Sequence, residues 1–238
     1  RCGGQTVRLY CLEWQRTLRP ATTSLLLAMT RRTLRPLARM IWPVAQLADA
    51  VITRLPASPY RVCAPPGTLD ETVSVEDLLA CIDASSARYS LRPRYDRESL
   101  SWILRQAAQA TSFGPLRSAI VRESRGEPAG WCIYYLRPGQ VAHVVQLGAE
   151  PARARFVLDH LLAHVQRCGA TGIEGPFDPH YLDDLARERC HFICPGLGVL
   201  VQSRNEQLLN AIHCGQGFLT RLEGEWWLRF GIDRLVDW

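Results

Sequence analysis

Cysteine and histidine side chains gather at two places in the C-terminal part of this sequence. The first group is Cys190, His191 and Cys194, and the second is the pair His213 and Cys214. Thiolates and imidazoles are ligands that zinc prefers. The spacing is not that of a standard zinc knuckle, however, and the apolar residues between His191 and Cys194 indicate a buried segment. We therefore expect no metal site. A cysteine nucleophile would also need an oxyanion partner, and no pattern marks one.

Other sequence signatures of chemistry are missing. There is no phosphate-binding P-loop, no dinucleotide fingerprint and no Gly-x-Ser-x-Gly elbow. The arginine-rich N-terminal part lacks interleaved aromatic residues, and the remainder is slightly acidic, so nucleic acid is not expected as a partner. Any chemistry must therefore come from side chains that the fold brings together.

The most regular stretch of the sequence predicts three strands, a helix and a fourth strand. The predicted strands are residues 117–123, 128–137 and 141–148, separated by the turns Ser124-Arg-Gly-Glu127 and Pro138-Gly139, and they precede a helix at 152–168 and a strand at 171–175. The strands are rich in aromatic and β-branched residues, whereas the helix has apolar residues at helical spacing. An antiparallel meander followed by a helix and a strand indicates an α+β fold with helices against a sheet.

The order of these elements and the residues around them resemble the GCN5-related N-acyltransferase (GNAT) family. Residues 117–123 correspond to its second strand, Gly130-Trp-Cys-Ile133 to the start of its third strand, and 141–148 to the fourth strand, which leads into the acyl-CoA helix. The resemblance covers Val73 to Phe230. It implies a mixed, mostly antiparallel central sheet flanked by helices. Two further helices, predicted at 74–85 and 99–110, would wall the substrate pocket.

The resemblance implies a binding site for acetyl-CoA or another acyl-CoA as co-substrate. The backbone of the fourth strand would bind the pantetheine through Val145, Gln146, Leu147 and Gly148. The N–H groups and positive dipole end of the next helix would bind the pyrophosphate. Arg153 and Arg155, in the first turn of that helix, would add charge-assisted hydrogen bonds. The family's glycines at this place are absent, because residues 150–156 contain none.

Acyl transfer to an amine also needs a base and an acid. The family often uses a tyrosine on the helix after the fifth strand as the acid, and Tyr181, in a predicted helix at 179–189, is the candidate here although the spacing differs. His143 and Glu150 bracket the fourth strand and are the candidates for the base. For His143 we prefer the interpretation as a hydrogen-bonded core histidine.

Two functions follow from these residues. The first is an acyl-CoA-dependent N-acyltransferase that transfers an acetyl or other acyl group to a small-molecule or peptide amine. The alternative is a degenerate, non-catalytic copy of the fold with a structural or substrate-binding role for a partner domain. The missing glycines favour the alternative, whereas Arg153, Arg155 and the order of strands and helix favour the enzyme.

Charge is unevenly distributed along the 238 residues. Every one of the 28 basic residues is arginine, a bias typical of a bacterial-like, GC-rich genome. Residues 1–61 are strongly basic and residues 62–238 are slightly acidic. With loop sequences near residues 56–67, this predicts an N-terminal arm over 1–61 and an acyltransferase-like domain over 62–238.

The arm begins with a predicted strand, Thr6–Trp14, which is either a remnant of a preceding acyltransferase domain or an edge strand of the main sheet. Residues 21–55 predict an amphipathic helix that Pro36 and Pro43 break or kink. Its arginines permit contact with an acidic membrane surface, but we prefer an interdomain helix.

Composition also indicates a location. The nine cysteines are scattered and odd in number, which favours free thiols in the cytoplasm. No run approaches the ~20 apolar residues of a membrane span. Because the first residue is Arg1 and not Met, we expect a fragment of a longer protein. Near the C-terminus we predict a bulged strand at 192–201, a helix at 205–213 and a hairpin at 218–230 that turns at Glu223-Gly224.

Overall fold

The computed structural model describes residues 5–7, 9–194 and 199–223. The strands are β1 Gln5–Val7, β2 Glu13–Thr17, β3 Gly67–Asp70, β4 Leu116–Glu123, β5 Pro128–Tyr135, β6 Val141–Ala149, β7 Gly172–Pro176, β8 His191–Ile193 and β9 Val199–Val201. The helices are α1 Pro20–Met29, α2 Arg35–Ile52, α3 Val75–Ser86, α4 Arg97–Ala107, α5 Ala154–Arg167, α6 Leu182–Arg187 and α7 Glu206–His213. Short 3-10 turns at Pro151–Arg153 and Pro179–Tyr181 precede α5 and α6.

Seven strands form the central sheet in the order β3-β4-β5-β6-β7-β2-β8. Every neighbouring pair is antiparallel except β6 and β7, which are parallel because α5 crosses over between them. β1 and β9 pair separately as a two-stranded antiparallel sheet. The predicted fold class, a mixed and mostly antiparallel sheet flanked by helices, is therefore confirmed.

Helices cover both faces of the sheet, which explains why β5 reads as a continuous apolar run. On one face, Cys132 and Tyr134 pack with the apolar side of α5. On the other face, Trp131, Ile133 and Tyr135 pack with α3 and α4. Trp131 to Leu136 are completely buried. β5 therefore contributes side chains to both core layers.

Local signals located most elements of this core. Ser74, the first residue of the predicted helix 74–85, caps α3 by accepting the N–H of Asp77 at 3.1 Å. The meander and α5 lie within a few residues of their predicted bounds. The prediction of one strand over 192–201 is wrong, because β8 joins the central sheet whereas β9 pairs with β1. The predicted hairpin at 218–230 is wrong in its first strand, because residues 218–222 form no strand, and residues 224–230 lie outside the described residues.

The N-terminal strand is part of the central sheet. The predicted single strand Thr6–Trp14 is wrong, because β1, a 3-10 turn at Leu9–Cys11 and the start of β2 occupy these residues. β2 lies between β7 and β8 and pairs with both, so it is not an edge strand. Its origin as a remnant of a preceding domain stays a prediction. Trp14 of β2 is buried in the same core layer as α5. The division of the chain at residue 62 stays a prediction, but its two parts share one sheet.

α1 and α2 form a helical hairpin that packs mainly on itself. Pro36 lies in the first turn of α2, where proline is tolerated, and Pro43 lies inside the helix. The buried carboxylate of Asp49 accepts the backbone N–H groups of Ala21 and Thr22 at 2.8 and 2.9 Å. These donors begin α1 and have no partner within the helix. Asp49 therefore fixes the orientation of α2 on α1.

Removing this carboxylate should loosen the hairpin. We expect Asp49→Ala to cost about 1–3 kcal/mol, because two N–H groups at the start of α1 lose their acceptor. Urea unfolding measures the loss, and hydrogen exchange should locate it in α1 and α2. Asp83→Ala, at an exposed helical aspartate, is the control. Unchanged exchange in α1 would contradict the assigned role.

Candidate functional site

β6 and β7 separate from each other in the middle of the sheet. Their parallel pairing covers only Val141 with Gly172, Ala142 with Ile173, and His143 with Glu174. β6 then continues to Ala149, and its pairing with β5 slips by one residue at Val145. We call the region between the two strands beyond this pairing the fork. It is the place where the GNAT resemblance predicts the pantetheine.

The chain itself enters the fork through residues 217–223, which we call the closing segment. The backbone N–H of Arg221 donates to the carbonyl oxygen of Val145 at 3.1 Å. The side chain of Arg221 donates to the carbonyl oxygen of Val144 at 3.4 Å. Phe218 and Leu222 are buried in the core layer of α3 and α4. The predicted cofactor residue Val145 therefore already binds the closing segment.

Gln146, the next predicted cofactor residue, is completely buried. Its side-chain oxygen accepts the indole N–H of Trp131 at 3.0 Å, and its amide donates to the carboxylate of Glu223 at 2.7 Å. Burial raises the pKa of Glu223. Hydrogen bonds from Thr220 and Tyr95 lower it and partly offset the effect of burial. Gln146 thus connects the sheet to the closing segment.

An ionic cluster lies where the fork begins. The guanidinium of Arg221 is 2.5 Å from a carboxylate oxygen of Glu13 and 3.3 Å from one of Glu174. Glu174 also faces His143, with its oxygen 3.0 Å from Nδ1, and accepts the side-chain amide of Gln15 at 3.1 Å. These groups come from β2, β6, β7 and the closing segment, so the cluster ties four parts of the chain together.

The electrostatics of this cluster favour ionised Glu174. Burial raises the pKa of a carboxyl group, but the hydrogen bond from His143 and the positive charge of Arg221 outweigh it and lower the pKa of Glu174 to about 2. His143 also contacts the ring of Phe113 edge-on, with the centroids 4.8 Å apart. His143 is thus hydrogen-bonded but 20% exposed, and its interpretation as a core histidine stays a prediction.

Tyr181, the predicted acid, lies at the other end of β6. Its hydroxyl accepts the N–H of Ala149 at 2.9 Å and lies 3.2 Å from the carbonyl oxygen of the same residue. Burial raises the pKa of Tyr181 to about 12. The guanidinium of Arg88 lies 5.1 Å from the centroid of its ring. Tyr181 thus holds the C-terminal end of β6 and is buried.

The three predicted catalytic residues are not brought together. His143 lies near the start of β6, whereas Tyr181 contacts its last residue and Glu150 follows it. At about 3.3 Å per residue, the backbone positions of His143 and Ala149 are roughly 20 Å apart. A single substrate group therefore cannot contact side chains at both ends of β6. The catalytic roles therefore stay predictions.

Acidic groups surround the start of α5. Arg153 lies 3.1 Å from Glu123, 3.9 Å from Glu127 and 3.7 Å from Glu150, and it donates to the carbonyl oxygen of Pro128 at 3.1 Å. These carboxylates lie against the guanidinium of Arg153, the side chain that was predicted to bind the pyrophosphate.

Arg155 is also engaged by carboxylates. It lies 3.8 Å from Asp159 and 3.8 Å from Glu188. Burial and the neighbouring Glu188 raise the pKa of Asp159 to about 7, although Arg155 opposes the shift. Both predicted phosphate-binding arginines therefore have intramolecular partners, and their cofactor role stays a prediction.

A cavity of about 390 Å³ lies between α3 and the β4–β5 hairpin. Its charged lining residues are Asp77, Arg122, Glu127, Glu150 and Arg153, and its apolar wall includes Cys81. The cavity therefore presents three carboxylates and two guanidinium groups. Such a lining suits a small polar ligand that carries a positive charge.

Sequence reasoning missed Glu13, Glu174 and Arg221. Glu174 carried one signal, because it is a charged residue between apolar and glycine positions of a predicted strand. Glu13 and Arg221 carried none, since each is one of many charged residues and the closing segment has no periodic pattern.

The cysteine and histidine groups do not assemble into a metal site in the described residues, where no cluster of three or more potential ligands occurs. Cys190 is buried in the core layer of α5, whereas Cys194 and Cys214 are exposed. Within the same part of the chain, no helix is long and apolar enough to cross a membrane.

Comparison with known proteins gives similarities to solved structures only. No protein-family model and no curated protein matches the sequence. A probable N-acyltransferase from Enterococcus faecalis is 16% identical, with 76% of this chain and 36% of that chain covered and a TM-score of 0.44. A GCN5-related N-acetyltransferase from Sphaerobacter thermophilus is 14% identical, with 56% and 44% covered and a TM-score of 0.39.

A third similar structure is the C-terminal domain of a putative lysylphosphatidylglycerol synthetase from Agrobacterium fabrum. It is 11% identical, with 89% of this chain and 65% of that chain covered and a TM-score of 0.38. The chain spans less than half of the length of the first two structures. All three TM-scores are below 0.5, so these similarities carry no information on activity or substrate.

The first prediction from this site concerns acid stability. Because the pKa of Glu174 is about 2 in the folded chain against 4.5 ordinarily, its stabilising effect is complete above pH 4.5 and is lost as the pH falls towards 2. Glu174→Gln should therefore cost up to about 3 kcal/mol at pH 6 and progressively less at lower pH. Urea unfolding across this range measures the difference. Glu98→Gln, at an exposed glutamate, should give no such trend.

The second prediction concerns Gly148, which was predicted to bind the cofactor. A Cβ atom at this position would lie 1.9 Å from the indole ring of Trp131. We expect Gly148→Ala to destabilise the fold by about 1–3 kcal/mol through overpacking. Trp131→Leu in the same chain should relieve part of that cost, because the smaller side chain makes room. Strictly additive losses in thermal unfolding would contradict this role.

Proposed function

We propose that this chain is a non-catalytic module of the acyltransferase fold with a substrate-binding role for a partner domain. The observation that carries the proposal is the filled fork. Arg221 occupies the backbone oxygens of Val144 and Val145, and Tyr181 occupies both backbone groups of Ala149. An extended pantetheine would have to displace buried hydrogen bonds to reach β6. Such bonds are costly to leave unmade.

The start of α5 supports the same proposal. A pyrophosphate there would approach Glu123, Glu127 and Glu150, which all lie within 4 Å of Arg153. The negative charge of these carboxylates would oppose the approach of a pyrophosphate. The absence of glycine over residues 150–156 also keeps side chains between a ligand and the backbone.

The cavity beside α3 supplies the substrate-binding role. Asp77, Glu127 and Glu150 offer carboxylates to a small molecule or peptide that carries an amine, and Arg122 offers a donor to an anionic group on the same ligand. The partner domain would supply the acyl donor.

A cytoplasmic location of the protein stays a prediction.

Acyl transfer from acetyl-CoA or another acyl-CoA is the second candidate. One observation favours it: Val145 and Ala149 direct backbone groups into the fork, and alternate residues of a strand face the same side. The N–H and C=O of Leu147, which lies between Val145 and Ala149, therefore also face the fork. A pantetheine amide could pair with this residue if the closing segment withdrew.

Calorimetric titration with acetyl-CoA separates the two candidates. We expect no saturable heat up to about 1 mM ligand, which corresponds to less than about 4 kcal/mol of binding free energy. The Arg153→Ala and Arg155→Ala variants should behave like the parent chain. Arg125→Ala, at an exposed arginine in the β4–β5 turn, is the matched control. Saturable binding that Arg153→Ala weakens and Arg125→Ala leaves unchanged would overturn the proposal in favour of the enzyme.

A further inference from the structure

α2 exposes an apolar face. Its members recur at helical spacing, as expected for one side of an amphipathic helix. They are Leu37, Met40, Ile41, Val44, Leu47 and Val51, which we call the α2 stripe. Met40 is 79% exposed, Leu47 69% and Val44 65%. Contiguous apolar surface of this kind marks a site of interaction with another apolar phase.

The rest of the hairpin does not cover the α2 stripe. α2 packs on α1 through a different side, on which Ala38, Ala45 and Asp49 are buried. Because the Asp49 carboxylate holds the start of α1, α2 cannot rotate to bury the stripe without breaking those hydrogen bonds. The exposed stripe is therefore a fixed feature of the hairpin.

Charge identifies the partner. Between residues 20 and 55 the exposed charged side chains are Arg31, Arg32, Arg35, Arg39 and Arg54. Asp49, the single acidic residue in that range, is buried. Among the described residues, none of these five arginines forms a salt bridge. An exposed apolar stripe combined with exclusively positive charge is the pattern of a helix that lies on an anionic bilayer.

A second copy of the chain fits this surface less well. Contact between two stripes would bring two sets of five arginines towards each other, and no exposed acidic residue of the hairpin would compensate them. An interdomain role, which the sequence favours, would be expected to cover the stripe and pair the arginines. The described residues do neither.

We propose that the α1–α2 hairpin docks on anionic membrane surfaces, with the α2 stripe inserted among the lipids and the arginines near the headgroups. This inference is independent of the substrate-binding proposal, because it uses no residue of the fork or of the cavity. It assigns the basic α1–α2 hairpin to localisation at a membrane.

Co-sedimentation of the full chain with vesicles tests the proposal. We expect binding to vesicles of equimolar phosphatidylcholine and phosphatidylglycerol, weaker binding to phosphatidylcholine alone, and a decline with added salt. The triple variant Met40→Ser, Val44→Ser and Leu47→Ser should lose roughly tenfold or more in affinity, because three exposed side chains no longer enter the lipid. Its thermal stability should stay unchanged, since these side chains are not packed in the fold.

Matched controls separate this surface from general stickiness. Trp102→Ser, Leu182→Ser and Leu208→Ser remove exposed apolar side chains from other helices and should leave binding unchanged. Arg35→Gln with Arg39→Gln should reduce the preference for anionic vesicles, whereas Arg94→Gln with Arg125→Gln should not. No vesicle binding, or equal loss in both apolar triples, would overturn the proposal. A dimer that the stripe variant dissociates would instead assign the face to a second copy.

Discussion

The side chain of Arg221 joins the two halves of the central sheet. β6 and β7 share only three residue pairs, so direct pairing between the halves is short. Arg221 adds hydrogen bonds to β6 and ionic contacts to Glu174 of β7 and Glu13 of β2. Two carboxylates face this one buried guanidinium, and removing either weakens the pairing that offsets the cost of its burial. The contacts of Arg221 thus both link the two halves of the sheet and fill the fork.

Much of the fold is readable from local sequence. Turn residues, the change from strand to helical period and the Ser74 cap each determine structure within a few residues, so the meander, α3 and α5 were predicted. The place of β2 was not, because Gln15 and Glu174 contact each other across 159 residues of sequence. Neither segment contains a sequence pattern that identifies the other as its partner strand. The split of 192–201 into two strands has the same cause.

The candidate site shows the same limit. Val145, Gln146 and Gly148 lie on the predicted strand, but their surroundings come from Trp131, Arg221 and Glu223. Of these, only Trp131 is on a neighbouring strand. The amphipathic pattern of α2 predicted an apolar stripe, but it could not say which face packs on α1. That choice depends on Asp49, whose contacts with Ala21 and Thr22 are tertiary.

The place of β2 has a consequence for synthesis on the ribosome. β2 emerges early, yet its partner strands β7 and β8 follow more than 150 residues later, as the contact of Gln15 with Glu174 across 159 residues illustrates. At about 5–20 residues per second, β2 waits roughly ten to thirty seconds for β7. During that interval the α1–α2 hairpin can already form, because Asp49 and its partners are close in sequence. The hairpin therefore acquires its structure before β2, which precedes it in the chain, can pair in the sheet.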